Sequence, residues 1–216
     1  MLLFEDKEIV VCLKPAGVLS QQGEGENMPD LLSEGGKREI FPVHRLDRET
    51  GGIMVFAKTS RAAAELSKQI TENKLKKRYF AVIKGCPDEK SGVLEDLLYR
   101  DKQKNKTFIV KRMRKGVRDA KLEYTVRDEK EGLSLISVLL HTGRTHQIRV
   151  QFSGRKMPLY GDGRYGGGGG ELALFACGLS FEHPASGEKM KFSALPDREK
   201  YPWSLFEANV YSEKED

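Results

Sequence analysis

The sequence predicts an α+β fold: one domain built on a large mixed, mostly antiparallel sheet flanked by helices. Three observations carry this. Short apolar, β-rich runs recur along the chain, separated by Gly, Pro and charged turns. Helical spacing is confined to a few stretches. Both halves supply strands, and no long polar spacer divides them.

The run over residues 8–13 is stopped by Pro15 and Gly17, so it reads as a buried strand and a turn. Residues 28–32 suit a short helix, with Pro29 in its first turn. Gly51 and Gly52 precede a second buried strand over 53–57. Ser60 is placed to cap a helix running to about residue 73, with Ala62, Ala63, Leu66 and Ile70 as its apolar stripe. Residues 79–83 form a third strand, ended by Gly85 and Pro87. From about 91 to 140 the pattern is a succession of strands, clearest at 108–110, 122–126 and 133–140. Residues 144–153 read as a helix, 172–181 and 190–192 as strands, and a last helix carries Trp203 and Phe206. The glycine run over 166–170 reads as a flexible loop and a tolerated insertion.

Composition excludes several classes. The chain has 216 residues, 38% of them hydrophobic, enough for a sizeable core and too apolar for disorder. No apolar run approaches the roughly 20 residues of a membrane helix. The first six residues run straight into charge, which predicts no signal peptide. Cys12, Cys86 and Cys177 are scattered and odd in number, which suggests neither a disulfide framework nor a zinc site. A reduced, cytoplasmic setting follows.

The formal net charge is only +5, but it is unevenly spread. Lys74, Lys76, Lys77 and Arg78 cluster before the 79–83 strand. Residues 100–118 hold nine basic side chains, Arg112 and Arg114 among them, against the single acid Asp101. Acids gather elsewhere, as at Glu5-Asp6 and in residues 213–216. The basic segment is either a solvated hairpin or an arm that contacts phosphates and binds nucleic acid without reading sequence.

Two stretches offer chemistry. In the first, His44 to Gly52, Asp47 lies in a loop between Arg45 and Arg48, just before a rigid strand. Nearby cations keep a carboxylate ionised and available as a nucleophile. A turn residue salt-bridged to an arginine is the plainer alternative. In the second, His141 to Val150, a strand end meets a helix start, a setting that favours anions. Arg149 sits between apolar Ile148 and Val150, so its stem is partly buried, and a buried arginine normally needs a carboxylate. A surface arginine is the other reading. His141 and His146 lack a third ligand and the spacing of a zinc pair, so no metal is expected.

Five motifs in order resemble the RluA-type family of RNA pseudouridine synthases. They are Leu13-Lys14-Pro15-Ala16-Gly17; His44-Arg45-Leu46-Asp47 with Thr50-Gly51-Gly52; Lys77-Arg78-Tyr79-Phe80-Ala81; His141 through Arg149; and Gly161-Asp162-Gly163-Arg164-Tyr165-Gly166. The likeness runs from about residue 8 to 195.

The resemblance implies a pseudouridine-synthase-like catalytic domain over 1–216. It has no accessory RNA-binding domain before it and needs no cofactor or metal. The implied reaction breaks the nitrogen–carbon glycosidic bond of a uridine in RNA, rotates the uracil and rejoins it through carbon 5. Asp47 is implied as the catalytic carboxylate, Arg149 as its partner, and Tyr79 as the residue against the base with a role in proton transfer. Ile148 is implied to pack on the base, and Arg45 to enter the RNA stack in place of the extruded base. His44 and Thr50 are read as loop-shaping residues. Lys76, Lys77, Arg78, Arg112, Arg114 and Arg144 are the expected RNA contacts. Extrusion of the base costs a few kcal/mol, which backbone contacts must offset. The expected substrate is a stem-loop of a structured tRNA or rRNA, and the expected state a monomer. The rival reading is a non-enzymatic RNA-binding or ribosome-assembly factor on the same fold.

Overall fold

The computed structural model describes residues 1–33, 36 and 38–212. In chain order the elements are β1 (Leu2–Glu5), β2 (Ile9–Lys14), α1 (Met28–Leu32), β3 (Phe41–Pro42), β4 (Gly51–Ala57), α2 (Ser60–Thr71), β5 (Lys76–Lys84), β6 (Ser91–Asp101), β7 (Lys106–Val110), β8 (Val117–Lys130), β9 (Leu133–Leu140), α3 (Gln147–Ser153), β10 (Leu174–Glu182) and β11 (Lys189–Ser193). Two 3-10 turns, Trp203–Leu205 and Ala208–Tyr211, follow. The chain divides into two compact units, residues 1–78 with 175–194, and the remainder.

In the first unit the strand order is β1-β2-β4-β10, with β3 on β4 and β11 on β10. β4 and β10 run parallel, Phe175 beside Gly51 and Ala176 beside Gly52, and the other pairings are antiparallel. The pairing is therefore mixed and mostly antiparallel, as the sequence predicts. All seven residues of β4 are buried, which explains its unbroken apolar run: a strand covered on both faces has no polar side to alternate with. Ile9 and Val11, Ile53 and Val55, and Leu179 and Phe181 pack with Ala62 and Leu66 of α2 as the core. Each of these side chains other than Ala62 contributes roughly 1.5–3 kcal/mol when fully buried.

The first residue of α2 is Ser60, and its cap is Thr59, whose Oγ accepts from the Ala62 amide at 3.1 Å. The expected Ser60 cap is thus one residue late. Gln69, 1% exposed, reaches β10, where its amide oxygen accepts from the Glu182 N–H and its NH2 donates to the Glu182 carbonyl. A side chain here does the work of a neighbouring strand, satisfying edge groups that would otherwise be buried unpaired.

Gly52 is the tightest point of the unit. Its φ is +127°, and a Cβ there would lie 2.4 Å from the Ala176 carbonyl oxygen and 2.5 Å from its nitrogen. Only glycine allows β10 to pass so closely.

In the second unit the order is β5-β9-β8-β6-β7. The β8–β9 hairpin turns through Glu131 and Gly132, both at positive φ, the conformation a two-residue hairpin loop demands. The β6–β7 hairpin keeps Asp101 opposite Lys106 and Leu97 opposite Val110. α3 packs Phe152, fully buried, edge-on to Tyr124 of β8.

Three expectations are corrected here. The helix expected over 144–153 begins at Gln147, because His146 adopts a left-handed backbone, φ 56°, that cannot extend a helix. The last helix is a pair of 3-10 turns, with the Tyr211 hydroxyl donating to the Trp203 carbonyl. The glycine run is not simply a loose insertion. Gly167 is buried, its N–H donates to the Asp162 carbonyl at 2.8 Å, and a Cβ would fall 1.7 Å from the Leu159 carbonyl oxygen. Residues 213–216, the expected acidic tail, lie outside the described residues. Among the described residues no helix is long and apolar enough to cross a membrane.

Gly52→Ala is expected to cost about 3 kcal/mol, because backbone rather than a movable side chain occupies the space. Urea denaturation of the two proteins measures it.

Candidate active site

In the first unit the site is built around the loop that carries Asp47. The two neighbours of Asp47 are clamped reciprocally. Leu46 donates its N–H to Ser20 Oγ at 3.0 Å, and that hydroxyl donates back to the Leu46 carbonyl at 2.8 Å. Arg48 donates Nε to the Gly17 carbonyl at 2.8 Å, while its own carbonyl accepts from the Gly17 N–H at 2.8 Å. The Thr50 N–H closes the turn on the Asp47 carbonyl at 3.0 Å. Asp47 is partly exposed between these anchors. Its two neighbours are held by one other segment of chain, residues 17–20, so its carboxylate stands on a fixed base.

Beneath the loop lies Lys14, the last residue of β2 and 1% exposed. Its Nζ donates to the carbonyls of Val18 at 2.7 Å, Pro15 at 2.8 Å and Arg48 at 3.1 Å. All three protons of an ammonium are thereby used. Burial pushes its pKa down to about 8, while the negative charge of Asp47 acts in the opposite sense. Asp47 therefore sits in the field of a buried cation that the sequence reading quoted in a motif without assigning it a role. A lone lysine ending an otherwise apolar strand was the available signal.

His44, at the start of the same loop, accepts the Val55 N–H on Nε2 at 3.1 Å, which leaves the proton of the neutral ring on Nδ1. Burial, helped by the positive charge of Lys77, pushes its pKa down to about 3. The ring stays neutral and ties the loop to β4. Arg45 is exposed. Lys76, Lys77 and Arg78 lie inside β5, partly buried, rather than ahead of the strand.

In the second unit the centre is Arg149 on α3, 2% exposed. The buried arginine does have a carboxylate: Nε and Nη2 grip Asp162 Oδ2 and Oδ1 at 2.7 and 2.8 Å. Asp162 also accepts the N–H groups of Arg164 and Tyr165, each at 3.1 Å. Four donors, two of them the arginine fork, offset the cost of burying the pair. The Tyr165 ring lies against the guanidinium, centroid to Cζ 5.5 Å. Asp162 was missed as a partner; its place between two glycines marked a turn but not its direction.

Tyr79 on β5 and Ile148 on α3 are 5% and 3% exposed. Arg144 is exposed and donates Nε to the Asp119 carbonyl at 2.8 Å. Its own N–H is taken by Gln147 Oε1, which squares off the turn before α3. The basic residues of 100–118 line the β6–β7 hairpin and the connection to β8. Arg112 and Arg114 are exposed, and Arg114 stacks 5.0 Å from the Tyr99 ring centroid. Of the predicted residues, Asp47, Arg45, Lys76, Lys77 and Arg78 fall in the first unit, the others in the second.

An α+β fold with an anchored, partly exposed aspartate and an exposed basic hairpin suits an enzyme that acts on a polyanion such as RNA. The model of a family described as RNA pseudouridylate synthase matches residues 8–154. A protein of Aquifex aeolicus named an uncharacterized RNA pseudouridine synthase is 35% identical over 88% of this chain and 67% of its own length. The Xanthomonas campestris protein named ribosomal large subunit pseudouridine synthase D is 33% identical over 89% of this chain and 65% of its own. The solved structure of human RNA pseudouridylate synthase domain containing 4 superposes with a TM-score of 0.75 at 25% identity, covering 91% of this chain and 88% of that one. The chain belongs to the RNA pseudouridylate synthase family, whose members are isomerases acting on RNA. It spans about two thirds of the length of these curated relatives.

Lys14 titrates near pH 8 in the folded protein against 10.5 when unfolded, so between those values the unfolded chain holds more protons. Below pH 8 this contribution is constant; above it, stability rises with pH. The rise is at most about 1.4 kcal/mol per pH unit. The difference in denaturation free energy between the wild type and Lys14→Met should trace that slope across pH 8–10.

Proposed function

We propose that this chain isomerises uridine to pseudouridine in a structured RNA, with Asp47 as the catalytic carboxylate. The observation that carries this reading is the reciprocal clamping of Leu46 and Arg48 around a partly exposed Asp47 above the buried Lys14 ammonium. A positioned, charge-supported carboxylate is what either route at the sugar needs: attack on the anomeric carbon, or proton abstraction giving a glycal. Tyr79 and Arg149 complete the proposed catalytic set, the tyrosine against the base and in proton transfer. Ile148 packs on the base, and Arg45 fills the stack it leaves.

The RNA backbone is held by Lys76, Lys77, Arg78, Arg112, Arg114 and Arg144. Exposure of Arg112 and Arg114 supports this, since phosphate contacts need accessible cations. Relatives named for the ribosomal large subunit favour an rRNA stem-loop over tRNA. Residues 1–216 work as one catalytic domain, as a cytoplasmic monomer.

Asp47→Asn should abolish pseudouridine formation in total RNA while leaving RNA affinity within about twofold, since the base contacts and phosphate contacts survive. Conversion by that variant would remove Asp47 from the chemistry; binding with no conversion by the wild type would leave an RNA-binding factor. Replacing Arg112 and Arg114 together by Ala should weaken binding to all sequences alike. It should also flatten the logarithmic salt dependence by about two units, read by filter binding at several salt concentrations.

A further inference from the structure

The motif from Gly161 to Gly166 has no part in the proposed chemistry, yet it is densely bonded within the second unit. Toward Arg149 it presents the Asp162 fork and the Tyr165 ring. Toward the β6–β7 hairpin, Tyr165 Oη accepts the Thr107 N–H at 2.8 Å, and Lys106 Nζ stands 5.0 Å from the ring centroid. Arg164 Nη1 donates to the Asn105 carbonyl at 3.0 Å. Toward α3, Tyr165 Oη lies 2.9 Å from His146 Nδ1, and the Tyr165 carbonyl accepts from Ser153 Oγ at 2.7 Å. The oxygen accepts from Thr107 and also shares a hydrogen bond with His146 Nδ1, whose direction the His146 tautomer sets.

We infer that Asp162 and Tyr165 are positioning residues that hold Arg149 in register with the basic β6–β7 hairpin. RNA seated on the hairpin then meets a guanidinium already set in place. This rests on the proposed reading that the hairpin grips RNA and that Arg149 serves the reaction.

Neutralising a buried arginine requires only the carboxylate. The Tyr165 hydroxyl adds something different: one atom bonded both to the hairpin backbone and to His146, the residue just before α3. A second link runs alongside it, from Thr107 Oγ to the Thr145 carbonyl at 2.9 Å. The two elements so joined have separate supports. The hairpin is laddered to β6 from Asp101–Lys106 to Leu97–Val110, and α3 is seated by Phe152 on Tyr124. Loss of the hydroxyl leaves each folded and loosens only their mutual register.

Tyr165→Phe keeps the ring over Arg149 and Lys106 and removes only the hydroxyl. Thr107→Val removes the parallel link at nearly constant shape. The substrate is an RNA stem-loop that the wild type converts, assayed with enzyme in excess. Each variant should lower the single-turnover rate about tenfold with the Kd for that RNA held within about twofold, a loss confined to the reacting geometry. Far-UV circular dichroism at the assay temperature should match the wild type. Wild-type rates in both variants would overturn the inference, as would a rate that falls only in step with a weaker Kd. If Tyr165→Phe does not fold, Thr107→Val decides alone. A wild-type protein that converts no uridine would instead overturn the proposed function, and that arm is read first.

Discussion

The fork between Arg149 and Asp162 is the interaction around which the second unit is organised. A guanidinium and a carboxylate, 2% and 0% exposed as side chains, are stable inside a protein only when nearly every polar atom is bonded. That requirement explains the neighbourhood. Asp162 needs two further N–H donors, so the chain turns tightly through Arg164 and Tyr165. The turn needs room, so Gly167 packs where no side chain would fit. The guanidinium needs a flat cover, which the Tyr165 ring supplies.

The first unit solves the same difficulty in another way. Lys14 is as deeply buried as Arg149, yet it is satisfied by three neutral carbonyls. No carboxylate cancels its charge through those bonds. Its positive field therefore reaches outward, and Asp47 is the acid that feels it. Arg149 is bound to a carboxylate and is held in shape; Lys14 is bound to dipoles and keeps its field. The two buried cations suit different tasks, one of geometry and one of electrostatics.

How much could be read in advance varies by element. β9 was legible to the residue, because a strand of eight apolar and small residues between charged turns has few alternatives. β6 was only sensed as part of a run of strands, since Glu95, Asp96 and Arg100 interrupt its alternation. Its partners on both sides, β7 and β8, stabilise what its own pattern does not. The start of α3 was misjudged by three residues because a left-handed His146 leaves no mark in hydrophobic periodicity. Asp47 stood out in its motif, whereas Asp162 and Ser20 did not. A carboxylate thirteen residues from its arginine and a serine twenty-six from its loop have no local signature.

From its residues alone, the chain specified an α+β architecture, a family likeness, a candidate aspartate and a basic segment. These depend on local pattern: alternation, turn residues, charge runs and short motifs in order. Only the tertiary structure decided which buried charges meet. It paired Arg149 with Asp162, set Lys14 among carbonyls beneath Asp47, and tied Tyr165 to both Thr107 and His146. The physical reason is that burying a charge has a cost that must be offset at one particular place in space, and chain order does not encode which distant group folds into that place.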